Sequence, residues 1–455
     1  MDVFGSSGVR GRVGTDLGPE FVSRVAAAAG ATFGADRVAV GRDTRTTGRM
    51  LADAAAAGLA SVGANVDRLG VVPTPGVQAH AAAAGVPAVV VTASHNPAPY
   101  NGVKLVGPDG VECALSTLER VEDALATDVD RVGYDAVGES RRVTDAVERY
   151  VAGVVDAVDR SAVADADLRV ALDPGHGAGA LTSPEVFRRL GCEVVTVNAQ
   201  PDGHFPGRDP EPTAANLEAL RDLVAATDAD LGVAHDGDGD RAIFVDETGT
   251  AVDGAASFAA LVAATVDAGD VVVSAVNVSQ RVVDVVRAAD ARLELTPIGS
   301  TRIVSRIREL RADGERVAVA GEANGGVIVP DYRIARDGAY TAARFVELLA
   351  DGASASEVLA PHRDYRFVRR NVECESEAAR ERMLEAAAAD AEDRAASGEV
   401  EVTTTDGYRL DVGDAWVLVR PSGTEPVVRV YAEAADASRA AALADEMVRR
   451  LRDAA

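Results

Sequence analysis

The chain has few of the features of secreted or membrane-spanning proteins. Its 455 residues include three cysteines, Cys113, Cys192 and Cys374, and none of them forms a Cys-x-x-Cys pair. A disulfide framework and a cysteine-based zinc site are therefore not expected. No run of about 18 apolar residues predicts a membrane-spanning helix, and the first residues lack the basic and apolar segments of a secretory signal. These absences favour a cytoplasmic protein.

Lysine is almost absent as well. Lys104 is the single lysine among 46 basic residues, and the 72 acidic residues leave a formal net charge of −26. This charge would repel nucleic acids and anionic membranes, so neither is an expected partner. The acidic excess and the lack of lysine together favour a high-salt cytoplasm, as in a halophilic organism. A high-GC genome is the alternative explanation for the missing lysine.

The composition predicts a globular protein of several domains. Apolar residues make up 47% of the chain and charged residues 26%, and the length exceeds what one ordinary core accommodates. Short apolar runs alternate with Ala- and Val-rich helical stretches, which predicts α/β domains with mainly parallel sheets. The clearest predicted strands are 37–41, 88–92, 169–173, 231–235, 271–276 and 317–321.

Breaks in this pattern divide the chain into four predicted domains. Polar or turn-rich segments occur near 147, at 246–250 and at 360–364. The last domain should have a different order of elements, typical of a small antiparallel α+β domain: strand 366–373, helix 377–396, two or three strands within 400–431, and helix 436–453. The predicted domains are 1–147, 148–250, 251–361 and 362–455.

The first candidate site is the segment Thr92-Ala93-Ser94-His95-Asn96-Pro97. It follows a predicted buried strand, at the end of the sheet where α/β proteins place their chemistry. Ser94 is therefore a candidate phosphoryl acceptor, although serine also caps ordinary turns. A hydrolase triad is disfavoured, because Gly-x-Ser-x-Gly is absent and the ring of the adjacent His95 should not easily face the Ser94 hydroxyl.

The second candidate site is Asp236-Gly237-Asp238-Gly239-Asp240-Arg241. Three carboxylates at alternate positions can converge on one ion if the backbone curls, and the two glycines permit that curl. Oxygen ligands favour Mg²⁺ or Ca²⁺. An EF-hand loop is disfavoured, because Arg241 occupies the position that needs glycine and residues 242–245 are typical of a strand.

Two further loops and the lysine are candidates for substrate contacts. Arg420 and the small residues of 420–426 could form a phosphate cradle, with a plain turn between strands as the alternative. Glu322 and Asn324 suit hydrogen bonding to vicinal sugar hydroxyls. Lys104 could transfer a proton if its pKa is lowered, which a guanidinium cannot do; chance survival is the alternative.

Together these motifs resemble the α-D-phosphohexomutase family, in its archaeal-type branch. The motifs occur in family order over essentially the whole chain: FGSSGVRG (4–11), GRDTR (41–45), TASHNP (92–97), DPGHGAG (173–179), DGDGDR (236–241), GEANGG (321–326) and RPSGTEP (420–426). The resemblance implies three similar mixed α/β domains with parallel-rich sheets and a smaller C-terminal α+β domain around a central cleft. It also implies an isomerase that interconverts hexose 6-phosphate and hexose 1-phosphate through a phosphoserine.

The resemblance assigns roles residue by residue. It implies that one Mg²⁺ is bound by phosphorylated Ser94, Asp236, Asp238 and Asp240. The implied catalytic residues are Ser94, Lys104, Arg10, Arg241 and His95. The implied substrate-binding residues are Glu322, Asn324, Arg420, Ser422, Gly423, Thr424 and Arg429. A hexose bisphosphate would be the intermediate and activator of a monomer or homodimer acting on hexose or hexosamine monophosphates.

The chain departs from common family patterns at three places. Ser7 stands where many relatives have aspartate, and Asn324 and Gly326 stand where bacterial relatives often have serine and histidine. No histidine base is available there, so Lys104 becomes the candidate acid–base group. The loop at 299–302 is also unusual. We expect a phosphoglucosamine mutase, with a phosphomannomutase/phosphoglucomutase, a sugar phosphatase or an inactive sugar-phosphate- or Ca²⁺-binding protein as alternatives.

Overall fold

A computed structural model describes residues 3–4, 8–362, 364–398, 400–422 and 426–455. The strands in this part of the chain are β1 (Val9–Arg12), β2 (Arg37–Arg42), β3 (Asn65–Val71), β4 (Ala88–Val91), β5 (Tyr100–Val106), β6 (Ser140–Arg142), β7 (Arg169–Asp173), β8 (Glu193–Thr196), β9 (Leu231–His235), β10 (Ala242–Asp246), β11 (Val271–Ala275), β12 (Arg292–Thr296), β13 (Val317–Gly321), β14 (Val327–Ile328), β15 (Arg366–Glu373), β16 (Glu401–Thr403), β17 (Tyr408–Asp411), β18 (Ala415–Pro421) and β19 (Val427–Ala434).

The α-helices pack on the faces of these strands. They are α1 (Pro19–Phe33), α2 (Gly48–Ala60), α3 (Thr74–Ala84), α4 (Leu115–Thr127), α5 (Ala146–Val155), α6 (Arg160–Asp165), α7 (Ser183–Leu190), α8 (Glu218–Thr227), α9 (Gly254–Ala263), α10 (Gln280–Ala288), α11 (Ser300–Ala312), α12 (Gly338–Leu349), α13 (Ala355–Leu359), α14 (Glu377–Ser397) and α15 (Ala437–Asp453). Among the residues described, no helix is both long and apolar enough to cross a membrane.

The first three sheets have parallel strands with antiparallel strands at one edge. Their strand orders are β1-β5-β4-β2-β3-β6, β10-β9-β7-β8 and β12-β11-β13-β14. The central strands β4, β9, β11 and β13 are buried along their whole length, as expected for parallel strands covered by helices on both faces. The predicted mixed α/β architecture is confirmed, and the six predicted strands match the observed ones to within one residue.

The fourth sheet is antiparallel throughout, in the order β15-β19-β18-β17-β16. Helices α14 and α15 pack on it, which confirms the predicted C-terminal α+β domain. The sequence predicted two or three strands between 400 and 431, and the structure has four, β16 to β19. The number was underestimated because β16 and β17 have only three and four residues, too few to show a clear alternation.

The middle of the chain has one continuous core. A single hydrophobic cluster extends from Tyr150 to Leu359 and includes residues of the second and third sheets. Helix α12 contacts β9 and β10 of the second sheet, and the rings of Phe244 and Phe345 stack with centroids 4.4 Å apart. Helix α12, which follows β13 and β14 in the chain, is thereby packed next to the loop that joins β9 to β10.

Candidate active site

The Ser94 loop begins directly after β4, and the serine is fully buried. Ser94 has a left-handed backbone with φ of 51°, an uncommon conformation for a residue with a side chain. Its backbone N–H donates to Thr92 Oγ1 at 2.9 Å. These contacts hold the serine hydroxyl in one orientation at the carboxyl end of a central strand.

Arg45 is the main support of this loop. Its guanidinium is buried and donates to the carbonyl oxygens of Ser94 at 2.8 Å and Asn96 at 2.6 Å. It also donates to the carbonyls of Pro97 at 2.8 Å and Tyr100 at 2.9 Å. The same side chain pairs with the Asp43 carboxylate at 3.0 Å. One arginine thus satisfies four carbonyls in the segment that leads from β4 into β5.

The second loop follows β9 and brings three buried carboxylates together. Asp236 Oδ1 accepts the backbone N–H groups of Asp240 at 3.1 Å and Arg241 at 3.2 Å, which closes the loop on itself. Gly239 has a positive φ of 72°, as the predicted curl requires. The oxygens that Asp236, Asp238 and Asp240 offer lie within 4.8 Å of one another. The strand that follows, β10, agrees with the prediction against an EF-hand loop.

The two loops meet at the serine. Ser94 Oγ donates to Asp236 Oδ2 at 2.7 Å. Thr74, at the start of α3, donates through its hydroxyl to Asp238 Oδ2 at 2.6 Å, and its backbone N–H donates to the Asp238 carbonyl at 2.9 Å. The hydroxyl of Ser94 and the three carboxylates of the second loop therefore lie in one site.

Three buried cations neutralise part of the carboxylate charge, and one of them, Arg241, has its Nε 3.9 Å from Asp236 Oδ2 and 3.8 Å from Asp240 Oδ1. Lys104 Nζ lies 2.8 Å from Asp238 Oδ2 and 3.3 Å from Asp240 Oδ2. Arg336 Nη2 lies 2.7 Å from Asp240 Oδ2. Burial acts to lower the pKa of Lys104, but the two aspartates outweigh it and raise that pKa above its ordinary value. The two salt bridges thus stabilise the ammonium form of Lys104, and its role in proton transfer stays a prediction.

The carboxylates differ in their affinity for protons. Burial and the neighbouring Asp238 and Asp240 raise the pKa of Asp236 well above its ordinary value. Against the effect of burial, Lys104 holds the pKa of Asp238 far below its ordinary value, and Arg336 lowers that of Asp240. Asp238 Oδ1 and Asp240 Oδ1 are buried and have no hydrogen-bond partner among the described residues. Buried carboxylate oxygens that accept no hydrogen bond fit a divalent cation such as Mg²⁺.

His95 lies closer to the serine than expected. Its Nδ1 is 3.3 Å from Ser94 Oγ and accepts a hydrogen bond from Arg241 Nη2 at 2.9 Å. The prediction that the ring would face away was wrong, because the left-handed backbone of Ser94 brings successive side chains closer in direction than an extended strand would. Burial, and then Arg241 and Arg10, lower the pKa of His95 to about 3. His95 is therefore a neutral group that orients Arg241.

Arg10 completes the group of cations. Its Nη1 donates to Asn96 Oδ1 at 3.1 Å, and its Nε is buried without a hydrogen-bond partner in the described part of the chain. Burial lowers the pKa of Arg10; the neighbouring Asp238 opposes this effect, and Arg241 adds to it. Arg10 therefore lies among the charged residues of the two loops, and its Nε–H group can still donate a hydrogen bond.

The third-domain loop approaches the same site through Arg336. Glu322 is one of the carboxylates that raise the pKa of Arg336, together with Asp240 and Glu112, against the effect of burial. Asn324 Nδ2 donates to Glu322 Oε2 at 3.4 Å. A Cβ atom at Gly326 would lie 2.6 Å from Arg336 Cδ. The Arg336 side chain thus occupies the space next to the position where bacterial relatives often carry histidine.

The C-terminal candidates lie around the ends of β18 and β19. Arg420 and Arg429 are cross-strand partners, and the N–H of Ser422 donates to the carbonyl of Val427 at 2.9 Å. Arg420 Nε pairs with Asp406 Oδ2 at 3.1 Å. No described hydrogen bond or ion pair joins Arg420 to the three aspartates. Ser7, Gly423 and Thr424 fall outside the described residues.

Sequence reasoning missed three residues of this site. Arg45 appeared only within the family motif GRDTR, and Thr74 and Arg336 were not considered. Each acts on a residue far away along the chain: Arg45 on Ser94, Thr74 on Asp238, and Arg336 on Asp240. The Arg-Asp-Gly at 336–338, before a helix and after a glycine-rich loop, was the available signal for Arg336.

Comparisons with known proteins agree with this geometry. Four family models match consecutive parts of the chain: phosphoglucomutase/phosphomannomutase α/β/α domain I at 1–131, domain II at 148–249, domain III at 253–365 and the C-terminal domain at 369–450. A protein of Methanopyrus kandleri named probable phosphoglucosamine mutase is 40% identical over 98% of this chain and 96% of that protein. One of Thermococcus kodakarensis named phosphoglucomutase/phosphomannomutase is 38% identical over 96% of each chain.

Among solved structures, a phosphoglucomutase/phosphomannomutase family protein from Burkholderia thailandensis superimposes with a TM-score of 0.86. It is 28% identical and covers 100% of this chain and 97% of its own. The chain therefore belongs to the phosphoglucomutase/phosphomannomutase family, the α-D-phosphohexomutases, whose members are isomerases of hexose phosphates. The predicted family, fold class and enzyme class are confirmed.

Proposed function

We propose that this chain interconverts hexosamine 6-phosphate and 1-phosphate, with Ser94 as the phosphoryl carrier. The contact of 2.7 Å between Ser94 Oγ and Asp236 Oδ2, inside a set of three carboxylates, carries the proposal. The name of the Methanopyrus kandleri relative, probable phosphoglucosamine mutase, supports glucosamine phosphate as substrate. The name of the Thermococcus kodakarensis relative supports glucose and mannose phosphates as the alternative.

The reaction would consist of two balanced transfers at Ser94. In the first, a free hydroxyl oxygen of the hexose monophosphate bonds to the phosphorus of phosphoserine and the bond from phosphorus to Ser94 Oγ breaks. The hydroxyl proton passes to Ser94 Oγ, and a hexose bisphosphate forms. The intermediate then reverses its orientation. In the second, Ser94 Oγ bonds to the phosphorus of the other phosphoryl group, the bond from that phosphorus to the sugar oxygen breaks, and the serine proton passes to the sugar oxygen, which leaves the isomeric monophosphate. No phosphate is released to water.

The acidic loop would hold the cation that the family requires. Asp236, Asp238 and Asp240, with an oxygen of phosphorylated Ser94, are the proposed ligands. A divalent cation bound there would neutralise charge on the transferring phosphoryl group. Asp238 Oδ1 and Asp240 Oδ1, which accept no hydrogen bond from the described residues, support this assignment.

The cations around the site explain how two phosphates can coexist there. Two doubly charged phosphates at ~6 Å and an effective dielectric constant of ~20 repel each other by roughly 11 kcal/mol. Arg10 and Arg241 approach Ser94 through Asn96 and His95, and they would contact the transferring group. Lys104 and Arg336 are paired with the aspartates. We assign Lys104 an electrostatic role because its ammonium group lies 2.8 Å from Asp238 and 3.3 Å from Asp240.

The remaining candidates would recognise the substrate outside the reacting phosphoryl group. Glu322 and Asn324 are proposed to bind the sugar hydroxyls. A cavity of about 420 Å³ borders both Arg241 and Asn324 and would admit part of a sugar. Arg420, Ser422, Gly423, Thr424 and Arg429 are proposed to bind the distal phosphate. Because Arg420 pairs with Asp406, the phosphate would replace that carboxylate.

The test is a panel of hexose and hexosamine 1- and 6-phosphates, each incubated with Mg²⁺ at molar KCl and followed by ³¹P NMR. We expect the fastest isomerisation for glucosamine phosphate and no accumulation of inorganic phosphate. Ser94→Ala should abolish isomerisation, whereas Ser116→Ala, at an exposed serine of the same domain, should not. Steady phosphate release without isomerisation would instead identify a phosphatase, and full activity of Ser94→Ala would reject the proposal.

A further inference from the structure

A second charged cavity lies on the first domain, between α2 and the edge of the first sheet formed by β3 and β6. Its volume is about 930 Å³. Among the described residues that line it are five arginines and a single acidic residue, namely Arg42, Arg49, Arg68, Arg141, Arg142 and Asp53. The chain as a whole has 72 acidic and 46 basic residues. The positive charge of this cavity is thus opposite in sign to the net charge of the whole chain. We call it the arginine pocket.

The strand register concentrates like charges on one face of the sheet. Strands β3 and β6 are parallel, and Arg68 is the direct neighbour of Arg142. Val40 pairs with Arg68 across β2 and β3, so Arg42, two residues further on, points to the same face. Like charges that lie directly opposite each other on a sheet destabilise it. An anion between these guanidinium groups would remove that cost.

Carboxylates satisfy only part of this charge. Arg68 forms an ion pair with Asp53, and Arg141 donates to both carboxylate oxygens of Asp67, at 2.6 and 3.0 Å. Among the residues that the structure describes, Arg42 donates only to the backbone carbonyl of Asp43, at 2.9 Å.

The other two arginines have no such partner. Within the described ranges, Arg49 and Arg142 make no ion pair or side-chain hydrogen bond. Burial lowers the pKa of Arg42; the neighbouring Asp43 opposes this effect, and the like charge of Arg49 adds to it. Three guanidinium groups, those of Arg42, Arg49 and Arg142, therefore have donors left for a ligand.

We propose that the arginine pocket binds a ligand with two linked phosphates. One guanidinium group can donate two hydrogen bonds to the oxygens of one phosphate. Arg49 lies on α2, whereas Arg42 and Arg142 lie on the sheet, so the two sides of the pocket fit two phosphates better than one. The volume is that of a small-molecule site. No aromatic residue lines the pocket in the described part of the chain. A nucleotide base would therefore find no ring to stack on, and the protein would recognise the ligand through its phosphates. Inorganic pyrophosphate and a nucleoside diphosphate share this chemistry.

The pocket adjoins the support of the Ser94 loop. Arg42 immediately precedes Asp43, whose carboxylate accepts from Thr92 at 2.6 Å and pairs with Arg45. Arg45 in turn donates to the Ser94 carbonyl at 2.8 Å. A ligand that binds Arg42 therefore acts on the segment that positions the serine, and occupancy should alter turnover while the pocket itself takes no part in the reaction.

The test is calorimetric titration of the full-length protein, without divalent cation, with orthophosphate, pyrophosphate, ADP and UDP at constant ionic strength. The variant is Arg49→Ala/Arg142→Ala, and the control is Arg188→Ala, an exposed arginine outside the pocket. We expect pyrophosphate or a nucleoside diphosphate to bind wild type and control equally, and the double variant at least about tenfold more weakly. Mutase activity without added diphosphate should stay the same, and melting curves should show that the double variant folds.

The outcomes separate the two sources of the diphosphate. Equal affinities for pyrophosphate and the nucleotides, lost together in the double variant, support recognition of the phosphates alone. Tighter binding of a nucleotide, lost in the same variant, supports a nucleotide as the ligand. Unchanged diphosphate affinity in the double variant, no binding to the wild type, or equal affinity for orthophosphate and pyrophosphate would each overturn the proposal. None of these results depends on the assignment of Ser94.

Discussion

Ser94 Oγ donates a hydrogen bond of 2.7 Å to Asp236 Oδ2 across 142 residues of chain. Ser94 lies in the loop after β4 of the first sheet, and Asp236 begins the loop after β9 of the second sheet. The contact therefore exists only when the first and second domains are packed together. Both residues are fully buried. The proposed reaction therefore depends on how the domains meet, and the residues that fix each loop should matter as much as the two that touch.

Arg45→Met should destabilise the protein by about 3–5 kcal/mol, because it leaves the buried Asp43 carboxylate without its cation. It should also lower kcat, since the Ser94 loop loses donors to its carbonyls. Denaturant unfolding and steady-state kinetics measure the two effects, with the exposed Arg188→Met as control. A loss of stability below about 1 kcal/mol would show that Arg45 does not support the loop as described.

Gly326 and Arg336 should behave as one unit. A Cβ at position 326 would lie 2.6 Å from Arg336 Cδ, so Gly326→Ala should displace the guanidinium from Asp240 and lower kcat/KM. Arg336→Ala should lower kcat/KM as well, because Asp240 loses its partner. The double variant should be no slower than Arg336→Ala alone. Fully additive losses in this double-mutant cycle would mean that Gly326 acts through some other contact.

Divalent cations should stabilise the folded protein. A cation at a hundredfold excess over its dissociation constant contributes about 2.7 kcal/mol if it binds only the native state. We expect Mg²⁺ to raise the melting temperature of the wild type and of Asp222→Asn, at an exposed carboxylate, and EDTA to reverse the rise. Asp240→Asn should melt at the same temperature with and without Mg²⁺. A Mg²⁺-dependent rise that survives in Asp240→Asn would place the cation elsewhere.

The three thiols should differ in reactivity. Burial raises the pKa of Cys113 and of Cys192 to about 12, so almost no thiolate forms in the native state at about pH 8. Burial also raises the pKa of Cys374, but this residue is only partly buried. Alkylation followed by peptide mass spectrometry should modify Cys374 first, and the other two only after unfolding. Rapid native labelling of Cys113 would contradict the packing of α4 described here.

Much of the site was predictable because its motifs are local. The acidic loop contains all three carboxylates within five residues, and Ser94 follows a strand whose residues are all apolar. The family resemblance added the order of the domains. The domain boundaries near 147, 250 and 361, the oligomeric state and the high-salt cytoplasm remain predictions.

Other features depend on contacts that no local pattern reveals. The support by Arg45 joins residues 49 positions apart, and the Arg336–Asp240 pair joins residues 96 positions apart. The position of His95 depends on the left-handed φ of Ser94, and the raised pKa of Lys104 depends on two aspartates from another domain. The two carboxylate partners of Lys104 lie 134 and 136 positions away in the chain, so no local pattern around the lysine reveals them.

The most direct test is the phosphorylation state of Ser94 during turnover. The protein is incubated with Mg²⁺ and a hexose bisphosphate, the peptide that contains Ser94 is isolated, and its mass is measured before and after addition of excess hexose monophosphate. The account predicts one phosphoryl group on Ser94 that is lost to the monophosphate. Isomerisation that proceeds while Ser94 stays unmodified would contradict it.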